Sequence, residues 1–109
     1  MLDHYTNRTE VTYMWARIAS FEGGSTEKMR QASEEAMASG EMQMPKGMTG
    51  GMVLAAGNDR RMFISYFDSK ADIDAAEADF DKMGDELSED VRGRRTSVNV
   101  YEVIWNSWE

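Results

Sequence analysis

The chain has 109 residues, which is enough for one domain with a modest core. Its 12 Lys and Arg against 20 Asp and Glu give a formal net charge of −8, so nucleic acid and anionic membranes are disfavoured as partners. There is no cysteine and one histidine, His4. This composition excludes a disulfide scaffold and a thiolate metal site, and it disfavours a multi-histidine metal site or a Ser-His-Asp triad. We therefore expect no metal and no other cofactor.

The sequence shows no pattern typical of a signal peptide or of a membrane span. Asp3, His4, Arg8 and Glu10 interrupt the N-terminal region, so it does not resemble a signal peptide. The longest apolar run, Met52 to Ala56, is far shorter than the ~20 residues of a membrane span. These features predict a cytoplasmic protein.

The first half of the chain predicts an arm, a strand and a helix. Residues 1–10 are polar and aperiodic, which indicates a flexible N-terminal arm. From Val11 to Phe21, aromatic and β-branched residues recur with period two, as in a β-strand. Ser25 or Thr26 then caps an amphipathic helix that closes at Gly40. A loop over 41–51 follows.

The second half predicts a hairpin, a helix and a last strand. Short strands over 52–56 and 61–67 flank the turn residues 57–59. Asp68 or Ser69 caps the next helix, which ends near Gly84. An arginine-rich link over 92–95 leads into a strand over 96–105. Residues 106–109 are a C-terminal tail.

The order of the elements predicts the fold class. Strand, helix, strand, strand, helix, strand is the βαββαβ order of a ferredoxin-like α+β domain over 11–105. Such a domain has a four-stranded antiparallel sheet with both helices on one face. Its other face is predicted to be too apolar for water, so we expect a homodimer in which two sheets pack face to face. The candidate interface residues are Tyr13, Trp15, Met62, Ile64 and Tyr66.

Several segments resemble a known superfamily. They are the first-strand sequence Ala16-Arg17-Ile18, the Gly23-Gly24 turn and the third-strand segment from Phe63 to Ser69. Together with the βαββαβ order over 11–104, they resemble the dimeric α+β-barrel superfamily, and within it the branch related to antibiotic-biosynthesis monooxygenases. The resemblance implies a twofold dimer with ligand cavities between sheet and helices. For an enzyme, it implies cofactor-independent oxidation or rearrangement of a small aromatic or polyketide-like substrate.

Haem degradation, an activity of other members, is disfavoured. Those members have an Asn on the first strand, a Trp on the third strand and a His on the second helix. The corresponding positions here are Ala16, Phe67, and Glu77 or Ala78. None of them matches.

The same alignment assigns a substrate pocket to the side of the sheet that faces the helices. It turns Trp15 and Arg17 toward the dimer barrel. The pocket candidates are Ala16, Ile18, Phe63, Ser65, Phe67, Phe80 and Met83.

Three polar residues are candidate catalytic groups, each with a structural alternative. Arg17 can bind an anion or an oxyanion, or it can form a salt bridge to Glu102 or across the dimer. Asn99 and Tyr101 share a face of the last strand and can hold a quinol, or they can simply pack. Two functions therefore stay open. One is a cofactor-independent enzyme, and the other is a non-catalytic dimeric module that binds a small apolar or aromatic molecule or is purely structural.

Overall fold

The structure is a computed structural model that describes residues 14–40 and 44–108. Within these residues it contains four strands and three helices. In chain order they are β1 (Met14–Glu22), α1 (Thr26–Ser39), β2 (Met48–Ala55), β3 (Arg60–Phe67), α2 (Lys70–Glu86), α3 (Glu89–Arg92) and β4 (Arg94–Val103). None of these helices is long and apolar enough to cross a membrane.

The four strands form one open antiparallel sheet in the order β2-β3-β1-β4. Strand β1 is central and pairs with β3 on one side and β4 on the other, while β2 and β4 are the edges. The pairing of β1 with β4 shifts register between Ser20 and Phe21. The architecture is therefore α+β, and it is compatible with a ferredoxin-like fold.

The predicted helix caps are confirmed. The Ser25 hydroxyl accepts a hydrogen bond from the Lys28 amide, and the Ser69 hydroxyl accepts one from the Asp72 amide. Gly40 ends α1 in the left-handed conformation with φ of 72°, and its amide donates to the last carbonyls of the helix. Local sequence chemistry is sufficient to begin both long helices.

The largest differences from the prediction are the bounds of β2 and β4 and one additional helix. Strand β2 begins at Met48 instead of residue 52, because Gly50 and Gly51 continue the pairing with β3. Strand β4 runs from Arg94 to Val103, two residues earlier than predicted at each end. The arginine-rich link contains an additional short helix, α3.

The core lies between α2 and one face of the sheet. Phe67 on β3 and Ile73 on α2 are fully buried, and Ala76 is 1% exposed. Trp15, Met48, Phe80 and Val100 pack around them. We call this side of the sheet the covered face. The opposite side, which carries Ala16, Ile18, Ile64 and Tyr66, is called the open face.

A second buried cluster surrounds Arg61, which is 2% exposed. Its guanidinium donates to the Thr26 hydroxyl at 3.0 Å, to the Asn58 carbonyl at 3.0 Å and to the Arg92 carbonyl at 3.1 Å. It also donates to the carbonyl of Gly23. Arg61 thus joins the start of α1, the β2–β3 turn and the end of α3. Its Nε is buried without a hydrogen-bond partner.

Helix α3 is attached to α1 by an exposed ion pair. Lys28 Nζ lies 3.1 Å from Asp90 Oδ2. Hydrogen bonds from the Ser88 hydroxyl and from Lys28 hold the pKa of Asp90 below its ordinary value of 3.8. Both side chains of the pair are solvent-exposed, so the pair contributes little to the stability of the fold.

Candidate functional site

The open face carries large apolar side chains that remain accessible in the protomer. Met52 is 40% exposed and Leu54 is 46% exposed on the edge strand β2. Met62 on β3 is 38% exposed and Tyr101 on β4 is 52% exposed. We call Met52, Leu54 and Met62 the apolar patch. Accessible apolar side chains of this kind make the open face a candidate contact surface.

One end of the open face is bordered by the C-terminal residues that follow β4. Together they line a hollow of about 350 Å³. Because three of the lining residues are aromatic, we call it the aromatic hollow. Its lining is Ala16, Ile18, Ile64, Tyr66, Val103, Trp105, Asn106, Ser107 and Trp108.

Trp108 forms one wall of the aromatic hollow. Its ring meets that of Tyr66 edge to face, with centroids 5.2 Å apart and planes at 86°. The Trp108 amide donates to the Asn106 side-chain oxygen at 2.9 Å, which closes a tight turn and directs the chain back toward the sheet. The indole of Trp105 is 72% exposed. The site therefore presents aromatic rings above an aliphatic floor.

The electrostatics of the aromatic hollow are simple. None of the nine lining residues is charged, and their polar side-chain groups are the Tyr66 and Ser107 hydroxyls, the Asn106 amide and the indole N–H groups of Trp105 and Trp108. No Asp, Glu, His or Lys lines it. Such a lining can hold an uncharged or diffusely charged molecule, but it offers no strong general base.

A second hollow of about 330 Å³ lies at the opposite end of the open face, and it is mixed in character. It combines the aliphatic Leu54 and Met62 with the charged Glu22 and Arg60. Within the described ranges, no group of three or more His, Cys, Asp or Glu is placed to hold a metal ion.

The candidate interface residues divide between the two faces. Met62, Ile64 and Tyr66 lie on the open face, as predicted. Trp15 does not, because it pairs with Phe67 across the strands and packs against the buried core cluster. Tyr13 lies outside the described residues.

The predicted orientation of β1 is reversed. Ala16 and Ile18 were expected to face the helices, but they line the aromatic hollow on the open face. Trp15 and Arg17 were expected to face the barrel, but they lie on the covered face. Successive residues of a strand point to opposite sides of the sheet, so an error in the side assigned to one residue places every residue of the strand on the wrong side. Both sides of β1 are apolar, and the alternation alone could not distinguish them.

Arg17 has a different partner from the predicted Glu102. It is 3% exposed, and its Nε lies 2.8 Å from Glu77 Oε1. Its Nη2 lies 3.2 Å from Glu77 Oε2, so the pair is bidentate. The guanidinium also stacks over the Phe80 ring at 4.0 Å. Glu77 on α2 therefore neutralises the buried arginine.

The predicted pocket set does not form one site. Phe63, Ser65 and Phe67 lie on the covered face, where Phe67 meets the Phe80 ring at 6.1 Å. Met83 is 40% exposed on α2. Neither hollow described above is lined by any of these five residues. The interior around Phe67 is filled by the side chains of the chain itself.

The two candidate catalytic residues of β4 lie on the open face. Asn99 pairs with Ile18 and Tyr101 pairs with Ala16 across the strands. Both are exposed, and neither lines the aromatic hollow. The structure therefore does not bring Arg17, Asn99 and Tyr101 together, since Arg17 lies on the covered face.

The C-terminal residues of the site were not predicted. Trp105 was included at the end of the last strand, and residues 106–109 were treated as a tail. The signal that points to them is the pair of tryptophans around a polar Asn-Ser turn, because tryptophan is rarely left in water without a role.

Comparison with known proteins gives no assignment. No protein-family model and no curated protein matches this chain.

Proposed function

We propose that this protein binds a small apolar or aromatic molecule in the aromatic hollow. The observation that carries the proposal is the lining, in which nine residues include three aromatic rings and no charge. A volume of about 350 Å³ is in the range of small-ligand pockets. The aliphatic floor excludes water from one face of a ligand while the rings cover another.

Binding without catalysis fits this site better than acid–base chemistry. A general base must lie within hydrogen-bond reach of the substrate, and no carboxylate, imidazole or amine lines the hollow. The interior between β3 and α2 is filled by Phe67, Ile73 and Phe80. This close packing favours the non-catalytic alternative over a substrate pocket between sheet and helices.

The proposal includes a second copy of the chain as a partner. In the ferredoxin-like reading, both helices lie on the covered face and the open face packs against its twofold mate, as in a dimeric α+β barrel. The apolar patch supports this reading, since Met52, Leu54 and Met62 remain accessible in the protomer. Met62 and Tyr66 are four residues apart on β3, about 13 Å. A partner on the patch thus leaves room for a ligand at the other end.

A second candidate function is cofactor-independent oxidation or rearrangement of a small aromatic substrate, as in the monooxygenase-like branch that the sequence resembles. The observation that favours it is the set of hydrogen-bonding groups at an otherwise apolar hollow, on Tyr66, Asn106 and Ser107. Oxygen uptake with an uncharged hydroquinone and no added cofactor tests it. Uptake that equals the protein-free rate removes this candidate.

The binding proposal is tested by titration with 2-naphthol, a neutral aromatic probe at pH 7, followed through the indole N–H resonances of the three tryptophans. We expect the Trp105 and Trp108 signals to shift while the Trp15 signal stays in place. Trp108→Leu removes one wall and should weaken binding about tenfold. Tyr101→Leu is the matched control, because it removes an aromatic ring from the same face but outside the hollow. Absence of any saturable shift contradicts the proposal.

A further inference from the structure

We infer that the preferred ligand of the aromatic hollow carries a quaternary ammonium group. This inference rests on the proposed binding function and specifies the chemical class of the ligand. It depends on three features of the site, namely the arrangement of the aromatic rings, the aliphatic floor and the sign of the charge around it.

The aromatic rings in the lining of the hollow can attract a cation through their faces. The planes of Tyr66 and Trp108 meet at 86° with centroids 5.2 Å apart, so they form two walls of a corner. The face of an aromatic ring is negative and its edge is positive. A cation is attracted by the faces of these rings and repelled by their edges, so its place is against a ring face that lines the hollow. Trp105 contributes a further indole to the lining, and indole is the strongest cation-binding ring of proteins.

The floor of the hollow selects the kind of cation. It is formed by the aliphatic side chains of Ala16, Ile18, Ile64 and Val103. Metal ions such as Ca²⁺ and Mg²⁺ need several oxygen ligands, and no carboxylate lines the hollow. An alkylammonium with free N–H groups loses hydrogen bonds to water against such a floor. A quaternary ammonium has no N–H donor, and its methyl groups match aliphatic side chains.

The charge of the molecule favours a cation over an anion. The chain carries a formal net charge of −8, and no Lys or Arg lines the hollow. The overall field therefore attracts a positively charged ligand and repels a carboxylate or phosphate. With no arginine in the lining, an anionic group would also find no bidentate partner.

The test compares two molecules of the same shape that differ only in charge. Choline has a quaternary nitrogen where 3,3-dimethyl-1-butanol has a quaternary carbon. Each is titrated into the full chain at constant ionic strength, with the Trp105 and Trp108 indole resonances as the readout. We expect choline to bind about tenfold tighter than the neutral alcohol. Sodium chloride at the same concentration should give no saturable shift.

Variants distinguish ring electronics from simple packing. Trp108→Leu should remove most of the preference for choline over the alcohol, whereas Trp108→Phe should retain part of it. Tyr101→Leu should leave the preference unchanged. Equal binding of choline and the alcohol, or binding of 2-naphthol without choline, overturns this inference and leaves the proposed binding function in place. If neither choline nor the alcohol nor 2-naphthol binds, both proposals are wrong.

Discussion

Two arginines of the described residues are buried, and their charges are accommodated in different ways. Arg17 is 3% exposed and pairs with a carboxylate, whereas Arg61 is 2% exposed and donates to a hydroxyl and three backbone carbonyls. The Arg17–Glu77 pair neutralises a charge on the covered face, and the hydrogen bonds of Arg61 connect the loops around it. A buried cation without partners is costly, so we expect substitutions that remove the partners of Arg17, or that replace Arg61, to lower the free energy of unfolding.

Removing the partner of Arg17 should destabilise the protein. Glu77→Ala leaves a buried guanidinium without its bidentate acceptor, but Glu77 is 40% exposed, so solvent screens part of the loss. We expect a decrease of about 1–2 kcal/mol in the free energy of unfolding in urea. Asp79→Ala, at an exposed position of the same helix, should change it by less than about 0.5 kcal/mol. Equal effects of the two variants would show that the ion pair contributes nothing.

Replacing Arg61 should have a larger effect. Lysine has no planar fork, so Arg61→Lys cannot reach the hydroxyl of Thr26 and the carbonyls of Asn58 and Arg92 together. Carbonyls left without donors in a buried site should lower the free energy of unfolding by about 3 kcal/mol. Arg60→Lys changes the exposed neighbour on the same strand and serves as the control in the same urea titration. A loss no larger than that of the control contradicts the structural role of Arg61.

At the scale of the elements, the corner between β1 and β4 depends on close backbone contacts. Gly93, at the end of α3, has φ of 78° and ψ of −163°, a conformation that is essentially confined to glycine. A Cβ there would overlap the carbonyl oxygen of Glu22 and lie 2.7 Å from the carbonyl oxygen of Gly23. The turn that delivers the chain into β4 therefore requires glycine.

A pair of glycine substitutions tests this corner. Gly93→Ala should lower the free energy of unfolding by about 3 kcal/mol or more, through backbone strain and overlap with neighbouring carbonyls. Gly84→Ala is the matched control, because Gly84 lies inside α2 and a Cβ there meets nothing within 4 Å. It should stabilise the protein by about 0.5–1 kcal/mol, since alanine is the better helix former. Thermal unfolding followed by circular dichroism measures both. A tolerated Gly93→Ala would contradict the described corner.

At the scale of the whole molecule, the proposed dimer forms through the open face. The proposed interface is the apolar patch. A charged side chain introduced there would occur in both protomers of a twofold dimer, and the two like charges would be buried close together, which is unfavourable. Leu54→Lys should therefore shift the protein from dimer to monomer in sedimentation velocity runs.

Val53→Lys is the control for this prediction. Val53 is the neighbouring residue on the same edge strand, it is 50% exposed, and it points to the other side of the sheet. It should leave the dimer intact. A native protein that sediments as a monomer at all concentrations would remove the dimer from the proposal, and dissociation by both variants would place the interface at the edge of β2 instead.

The elements were predictable because their signals are local. Each long helix begins where a serine hydroxyl caps an amide three residues later, and such a contact needs no tertiary structure. Strand β3 was predicted to within one residue, since its aromatic and aliphatic residues alternate between turn signals. Helix α3 was missed because four residues are too few to show a helical period.

The site was predictable only in part. Ile64 and Tyr66 were assigned to the open face because they alternate with Phe63, Ser65 and Phe67, which the resemblance places on the side of the helices. The walls formed by Trp105 and Trp108 were not recognised, since residues after the last strand have no period that indicates where they turn. The position of Trp108 depends on contact with Tyr66, which lies about forty residues earlier in the chain.

The sequence by itself determined the order of the strands and the two long helices, and it determined where both of those helices begin. These features follow from side chains acting on neighbouring backbone. Only the tertiary structure decided which side of β1 faces the helices. Arg17 selects that side through Glu77, which is 60 residues away. Alternation supplies two equivalent faces, and a contact between distant residues is required to choose between them.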